Sequence, residues 1–143
     1  MSYGPRWVCL LRSCMIARRP VKCMVVDDDH DGALFLGEFL KTLGADVRVV
    51  HGAQQAIDLA PHFQPLLVVL DLNMPVMDGF QTCRQLRLQA WPGAAAAVIV
   101  AHTGQPVLKA ILMAAGFDHL ITKGDPPDAF ERILTRVRND AGN

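Results

Sequence analysis

The chain has 143 residues, 51% of them hydrophobic, which fits one domain with a sizeable core. Fourteen basic and fourteen acidic residues cancel, removing the general electrostatic case for nucleic acid or an anionic membrane surface as partner. The four cysteines, Cys9, Cys14, Cys23 and Cys83, form no CxxC pair and no zinc spacing, so free thiols in a reducing cytoplasm are expected rather than a disulfide framework.

Residues 1–20 differ in character from the rest of the chain. Trp7-Val8-Cys9-Leu10-Leu11 is a short apolar stretch between Arg6 and Arg12, and Arg18-Arg19-Pro20 closes the segment. It is too short for a signal peptide or a spanning helix. A disordered extension or an arm packing on its own domain is expected, with Met15 a candidate start.

From Val21 onward the chain alternates strand-like and helix-like segments. The apolar run 21–26 ends on Asp27-Asp28-Asp29, and a helix capped by Asp31 is expected next, through about Lys41. Leu34, Phe35, Phe39, Leu40 and Leu43 supply its apolar positions, and Gly44 ends it. Asp46 to Val50 reads as a second strand and Ala53 to Ala60 as a second helix, stopped by Pro61 and Pro65.

The apolar run 66–70 ends on Asp71, as the first ended on Asp27. Gly79 to Leu88 reads as a third helix, Ala96 to Ala101 as a fourth strand and Val107 to Ala115 as a fourth helix stopped by Gly116. His119 to Thr122 is a short fifth strand and Ala129 to Val137 a last helix, leaving residues 139–143 as a polar tail. Five such units predict an α/β fold, a doubly wound five-stranded parallel sheet with helices on both faces. In folds of that kind the functional crevice lies at the carboxyl ends of the strands. Asp27, Asp28, Asp71, Thr103 and Lys123 all fall at or just after a strand end. Several carboxylates gathered there repel one another unless a cation joins them, which points to Mg²⁺.

Residues 21–138 resemble the receiver domain of two-component response regulators. The likeness rests on Val-Val-Asp27-Asp28-Asp29, on Leu70-Asp71-Leu72-Asn73-Met74-Pro75-Val76-Met77-Asp78-Gly79, on Ala101-His102-Thr103-Gly104 and on Lys123. It implies a flavodoxin-like fold with strand order 2-1-3-4-5. Asp71 would be the phosphoacceptor, with Thr103 and Lys123 stabilising the transferred group. Asp27, Asp28, Asp71 and the backbone carbonyl of Asn73 would hold Mg²⁺. The implied donor is a phosphohistidine on a sensor histidine kinase or phosphotransfer protein, and such a domain catalyses only its own phosphorylation and dephosphorylation. Asp29 is left as a helix-entry residue.

Three departures from the family pattern bear on signalling. Gly124 follows Lys123 where proline in a cis peptide is common, so a trans bond and a looser lysine loop are expected. Leu120 stands where an aromatic switch residue is usual. The link from Thr103 to the fourth helix looks short, and Pro106 stiffens it. The fourth helix is apolar nearly all round, Lys109 being its only charge. Its outer face is therefore a candidate homodimer surface or a seat for the arm carrying Trp7 and Leu10. Of the five histidines, His30, His51, His62 and His119 are placed on loops or surface, while His102 is a candidate proton-sensitive residue at the pocket rim. No output domain follows residue 138, so a stand-alone receiver is expected, although an excised piece of a longer protein fits equally.

Two other readings compete. A phosphatase resembling the haloacid dehalogenase family would use Asp29 in Asp29-His30-Asp31-Gly32, with Gly124-Asp125-Pro126-Pro127-Asp128 as its late acidic loop, but it leaves Asp71 unexplained. A pseudo-receiver would keep the fold as a binding module and drop the chemistry, which Gly124 and Leu120 favour and the intact acidic set opposes.

Overall fold

The structure, a computed structural model, describes residues 20–89 and 91–141. Expectations placed on the arm, with Trp7, Leu10, Cys9, Cys14 and Met15, lie outside those residues. Strands β1 (Lys22–Val26), β2 (Asp46–Val50), β3 (Leu67–Asp71), β4 (Val98–Thr103) and β5 (His119–Thr122) alternate with helices α1 (His30–Thr42), α2 (Ala53–Phe63), α3 (Gly79–Leu88), α4 (Lys109–Ala115) and α5 (Asp128–Ala141). The strands form one parallel sheet in the order β2-β1-β3-β4-β5, the doubly wound architecture expected.

Alternation along the strands explains the two layers. On β1, Cys23 and Val25 face a cluster with Ala33, Leu36 and Leu40 of α1 and Phe130, Leu134 and Val137 of α5. Met24 and Val26 face the opposite cluster, with Ala56 and Ala60 of α2, Cys83 and Leu86 of α3 and Leu112 of α4. Four successive buried apolar residues, Cys23 to Val26, are what a sheet covered on both faces requires. Cys23 and Cys83 are wholly buried free thiols, and burial pushes them up to about 12 and about 11. They pack as small apolar groups and stay protonated at neutral pH.

Several element boundaries differ from expectation, each for a local reason. Asp29, not Asp31, stands at the N-cap of α1, and its side chain makes no capping bond. The buried stripe of α1 is Ala33, Leu36, Gly37 and Leu40, leaving Leu34 and Phe35 exposed. Gly37 sets that rotation, since a Cβ there would come within 2.8 Å of Val49 Cγ2 on β2. Residues 94–96 form a short 3₁₀ turn rather than the start of β4, which moves the strand later and makes Thr103 its last residue. Helix α4 begins at Lys109 instead of Val107, with Leu108 extended ahead of it. The link that looked short is thus lengthened at the expense of the helix. The last helix runs past Val137 to Ala141, aided by Arg138 Nη2 donating to the Leu43 carbonyl at 2.8 Å.

Pro61 lies inside α2 and does not stop it. Proline at that position removes the N–H that would bond the Ile57 carbonyl. Gln89, just beyond α3, fills the gap, its Nε2 donating to Ile57 O at 2.9 Å. The helix ends two residues later, where Gln64 takes a left-handed conformation and its N–H bonds Ala60 O.

Candidate functional site

Three carboxylates meet where β1 and β3 end. One oxygen from each of Asp27, Asp28 and Asp71 lies within 4.8 Å of the others, with Asp27 and Asp71 buried and Asp28 exposed. The pairing of β1 with β3, Val26 beside Leu70, brings the first and last of these side by side. Backbone donors then hold them. Asp29 N–H donates to Asp27 Oδ1 at 2.9 Å, and Asn73 N–H donates to Asp71 Oδ1 at 3.2 Å.

Lys123 enters from the end of β5. Its Nζ is 3.2 Å from Asp27 Oδ2 and 3.6 Å from Asp71 Oδ2. The Lys123–Gly124 bond is trans as expected, there being no cis peptide among the described residues. The loop is tied rather than loose. Lys123 N–H donates to Thr103 O at 2.7 Å, Thr122 N–H to Asp125 Oδ2 at 3.0 Å, and Asp125 N–H returns to Thr122 O at 3.0 Å. Gly124 has φ +98, a conformation closed to proline, whose ring holds φ near about −65. A left-handed glycine and an aspartate side chain thus aim the lysine inward by another route.

Thr103, 1% exposed, accepts a bond from Gln105 N–H at 3.1 Å, which leaves its own hydroxyl hydrogen free to donate. Close packing continues under the site. A Cβ on Gly79 would come within 2.3 Å of the Asp71 carbonyl, so only glycine lets the start of α3 lie against the end of β3.

The electrostatics fit a cation site. Burial, followed by the negative charge of Asp27 and a side-chain hydrogen bond to it, pushes Asp71 up to about 6, against the Asn73 N–H and the Lys123 charge, which pull it down. For Lys123, burial alone would lower the ammonium, but the hydrogen bond and charge of Asp27, with Asp71 adding, outweigh it and the net shift is upward. One lysine does not neutralise three clustered carboxylates. The remaining excess of hard oxygen donors suits Mg²⁺.

Other sequence-marked residues sort themselves by position. Asp29 is exposed and falls outside the carboxylate cluster, so the helix-entry role stands. His102 packs edge-on to Phe130, with ring centroids 5.2 Å apart, on the α5 side of the sheet. Its burial, then the Lys123 charge, holds the imidazole below its usual value despite Asp27 and Asp125. Leu120 packs partly buried against the α2–α4 cluster. On α4, Leu112 is the inward residue, Ile111 and Met113 are exposed on either side of it, and Leu108 is exposed just ahead of the helix.

Two features at this end of the sheet carried no sequence signal. His51, following β2, places Nδ1 3.1 Å from the Asp27 carbonyl oxygen. Its ring stacks on His30, with centroids 3.8 Å apart and planes 9° from parallel. Val76 has φ 71 and is fully exposed, at the centre of a γ-turn closed by Met77 N–H to Pro75 O at 2.8 Å. A β-branched residue there is strained. Val76→Gly should therefore raise stability by about 1 kcal/mol, since no buried contact is lost. A urea denaturation midpoint that stays put or falls would contradict this.

Comparison with known proteins agrees with the geometry. The family model described as "Response regulator receiver domain" matches residues 23–137. Response regulator MprA of Mycolicibacterium vanbaalenii is 34% identical over 120 residues, covering 83% of this chain and 49% of that protein. A response regulator receiver protein of Anaeromyxobacter sp. is 35% identical over 111 residues, covering 78% of this chain and 44% of that protein. The chain thus spans about half the length of the curated relatives it matches. Among solved structures, the chemotaxis response regulator CheY4 of Vibrio cholerae aligns with TM-score 0.74 at 24% identity, covering 83% of this chain and 99% of that one. The receiver domain of a sensor histidine kinase from Pseudomonas aeruginosa, solved with magnesium coordinated in its active-site cleft, aligns with TM-score 0.73 at 23% identity, covering 85% and 99%. Among the described residues no helix is long and apolar enough to cross a membrane. The fold, the carboxylate cluster and the family match together place this chain in the response regulator receiver domain family, a class of two-component signalling modules.

Proposed function

We propose that the chain accepts a phosphoryl group on Asp71 from the phosphohistidine of a partner kinase or phosphotransfer protein, in the cytoplasm, and signals by protein contacts. The observation that carries this reading is the convergence of Asp71 with Asp27, Asp28, Thr103 and Lys123 at the strand ends. A carboxylate oxygen of Asp71 attacks phosphorus, the P–N bond breaks, and its electron pair leaves with the imidazole. The product is an acyl phosphate. Charge on the transferring group is met by the Lys123 ammonium and by the Thr103 hydroxyl, each on a different phosphoryl oxygen. Asp27, Asp28, Asp71 and the Asn73 carbonyl are the ligands for Mg²⁺, which when bound supplies positive charge to the carboxylates and the phosphoryl oxygens.

Asp71 is buried and Asp29 is exposed, which favours this reading over a phosphatase using Asp29. The test is intact mass after incubation with acetyl phosphate and Mg²⁺. One phosphoryl adduct is expected, lost in Asp71→Asn and kept in Asp29→Asn. Absence of any adduct would leave a binding module. The exposed surface of α4 around Ile111, with Leu108 just ahead of the helix, is the part we assign to contact with a second copy. Ile111→Glu should shift sedimentation towards monomer, and an unaltered distribution would remove that assignment.

A further inference from the structure

We propose that His51 is a positioning residue for the acidic pair: by donating to the Asp27 carbonyl it orients the peptide joining Asp27 to Asp28, and so the reach of both carboxylates towards a divalent cation. The inference rests on the Mg²⁺ reading of the site. It begins with donor and acceptor roles. The Asp27 carbonyl oxygen can only accept, so the contact at 3.1 Å requires a proton on Nδ1.

The contact stands where the sheet stops. The β1–β2 ladder pairs residues up to Val26 with Val50, and Asp27 N–H still donates to Val50 O at 3.1 Å. Beyond that, β2 leaves the sheet. His51 N–H turns to Gln55 Oε1 at 3.0 Å, and Gly52 becomes the N-cap of α2. The imidazole supplies the donor that a continuing strand would have given the Asp27 carbonyl. Without it, an acceptor on a residue only 5% exposed loses its partner.

The ring is also held in plane. His30, the first residue of α1, lies against its face at 3.8 Å and 9°. A rotation of the Asp27–Asp28 peptide would swing Asp27, which meets Lys123, relative to Asp28, which faces solvent. Fixing that plane, together with the Asp29 N–H bond to Asp27 Oδ1 at 2.9 Å, pre-sets the spacing of the two ligands. Groups that orient metal ligands without touching the ion commonly change affinity by about 10–100-fold.

The experiment is calorimetric titration of the metal-free full chain with Mg²⁺, paired with melting curves in the absence of metal. His51→Phe keeps a ring against His30 and loses the donor. His51→Asn puts an amide nitrogen near the place of Nδ1. We expect His51→Phe to weaken Mg²⁺ binding about tenfold and to lower metal-free melting through the unpaired Asp27 carbonyl, and His51→Asn to restore most of both. Equal binding by His51→Phe and the unsubstituted chain would overturn the proposal alone, as would equal weakening in both variants. No saturable Mg²⁺ binding by the unsubstituted chain would overturn the metal reading and the proposal with it. Nitrogen-15 spectra need no substitution: a His51 ring protonated on Nε2 and bare on Nδ1 contradicts the proposal outright.

Discussion

Asp71→Asn is expected to stabilise the metal-free protein at pH 7.5 and to abolish the proposed phosphoryl transfer. In the folded chain Asp71 is raised from 3.8 to about 6, chiefly by burial. The folded state therefore holds the proton more tightly than the unfolded state. Its contribution to stability is fully present below pH 3.8 and is lost as pH rises through about 6. At pH 7.5 the folded protein carries the ionised, poorly solvated carboxylate at full cost. A shift of that size corresponds to about 3 kcal/mol at most, so a neutral isostere should recover about 1–3 kcal/mol. Lys123 keeps its contact with Asp27 at 3.2 Å in the variant, so no ammonium is stranded.

The gain should shrink at pH 5, where Asp71 is already largely protonated. Added Mg²⁺ should raise the melting temperature of the unsubstituted protein and have much less effect on the variant, which has lost one of the three clustered carboxylates. A melting temperature for Asp71→Asn equal to or below that of the unsubstituted protein at pH 7.5 would contradict this account.

Arg87→Ala should cost about 2–4 kcal/mol, a large share of the stability of a domain this size. Its Nε and Nη2 donate to Gly116 O at 3.0 and 2.8 Å, Nη1 to Ala97 O at 2.6 Å, and Nη2 also to Asp118 Oδ2 at 2.6 Å. The same Asp118 oxygen accepts Ile99 N–H at 2.9 Å. One guanidinium thus joins the end of α3, the turn after α4 and the start of β4. Asp118 is 43% exposed, so the ion pair itself is discounted for solvent screening. Most of the loss comes from two carbonyls left without donors. Arg132 is a useful contrast, since its pair with Asp128 at 2.7 Å is 72% and 57% exposed and Arg132→Ala should move stability by less than about 0.5 kcal/mol. Equal urea midpoints for the two variants would show that the Arg87 contacts carry no special weight.

Much of this molecule could be read from its residues because the relevant signals were local. Four-residue apolar stretches, Cys23 to Val26 and Leu67 to Leu70, are the pattern of strands buried on both faces, and the aspartates closing them marked the edge where the carboxylates cluster. The family likeness then divided the acidic residues into metal pair, phosphoacceptor and helix entry, and the structure puts the first two together and leaves Asp29 outside. Errors arose where distant contacts decide. Pro61 looks like a stop until Gln89 is seen beneath the carbonyl it frees. Leu34 and Phe35 look like core until Gly37 turns α1 by its fit against Val49. His51 gave no periodic or motif signal, because its role depends on where β2 departs from β1. The Lys123 loop was judged by the missing proline, whereas Gly124 and Asp125 achieve the inward aim by different backbone chemistry.

The bond from Gln89 to the Ile57 carbonyl also has a consequence for how this sequence can change over generations. Pro61 creates the need that Gln89 meets, so the two positions constrain each other although they sit on different helices. Loss of Gln89 is costly only on a background that keeps Pro61, and a chain that had already replaced Pro61 with an ordinary helix former could exchange Gln89 freely. The order in which the two substitutions arise would then decide which descendants of this chain remain foldable.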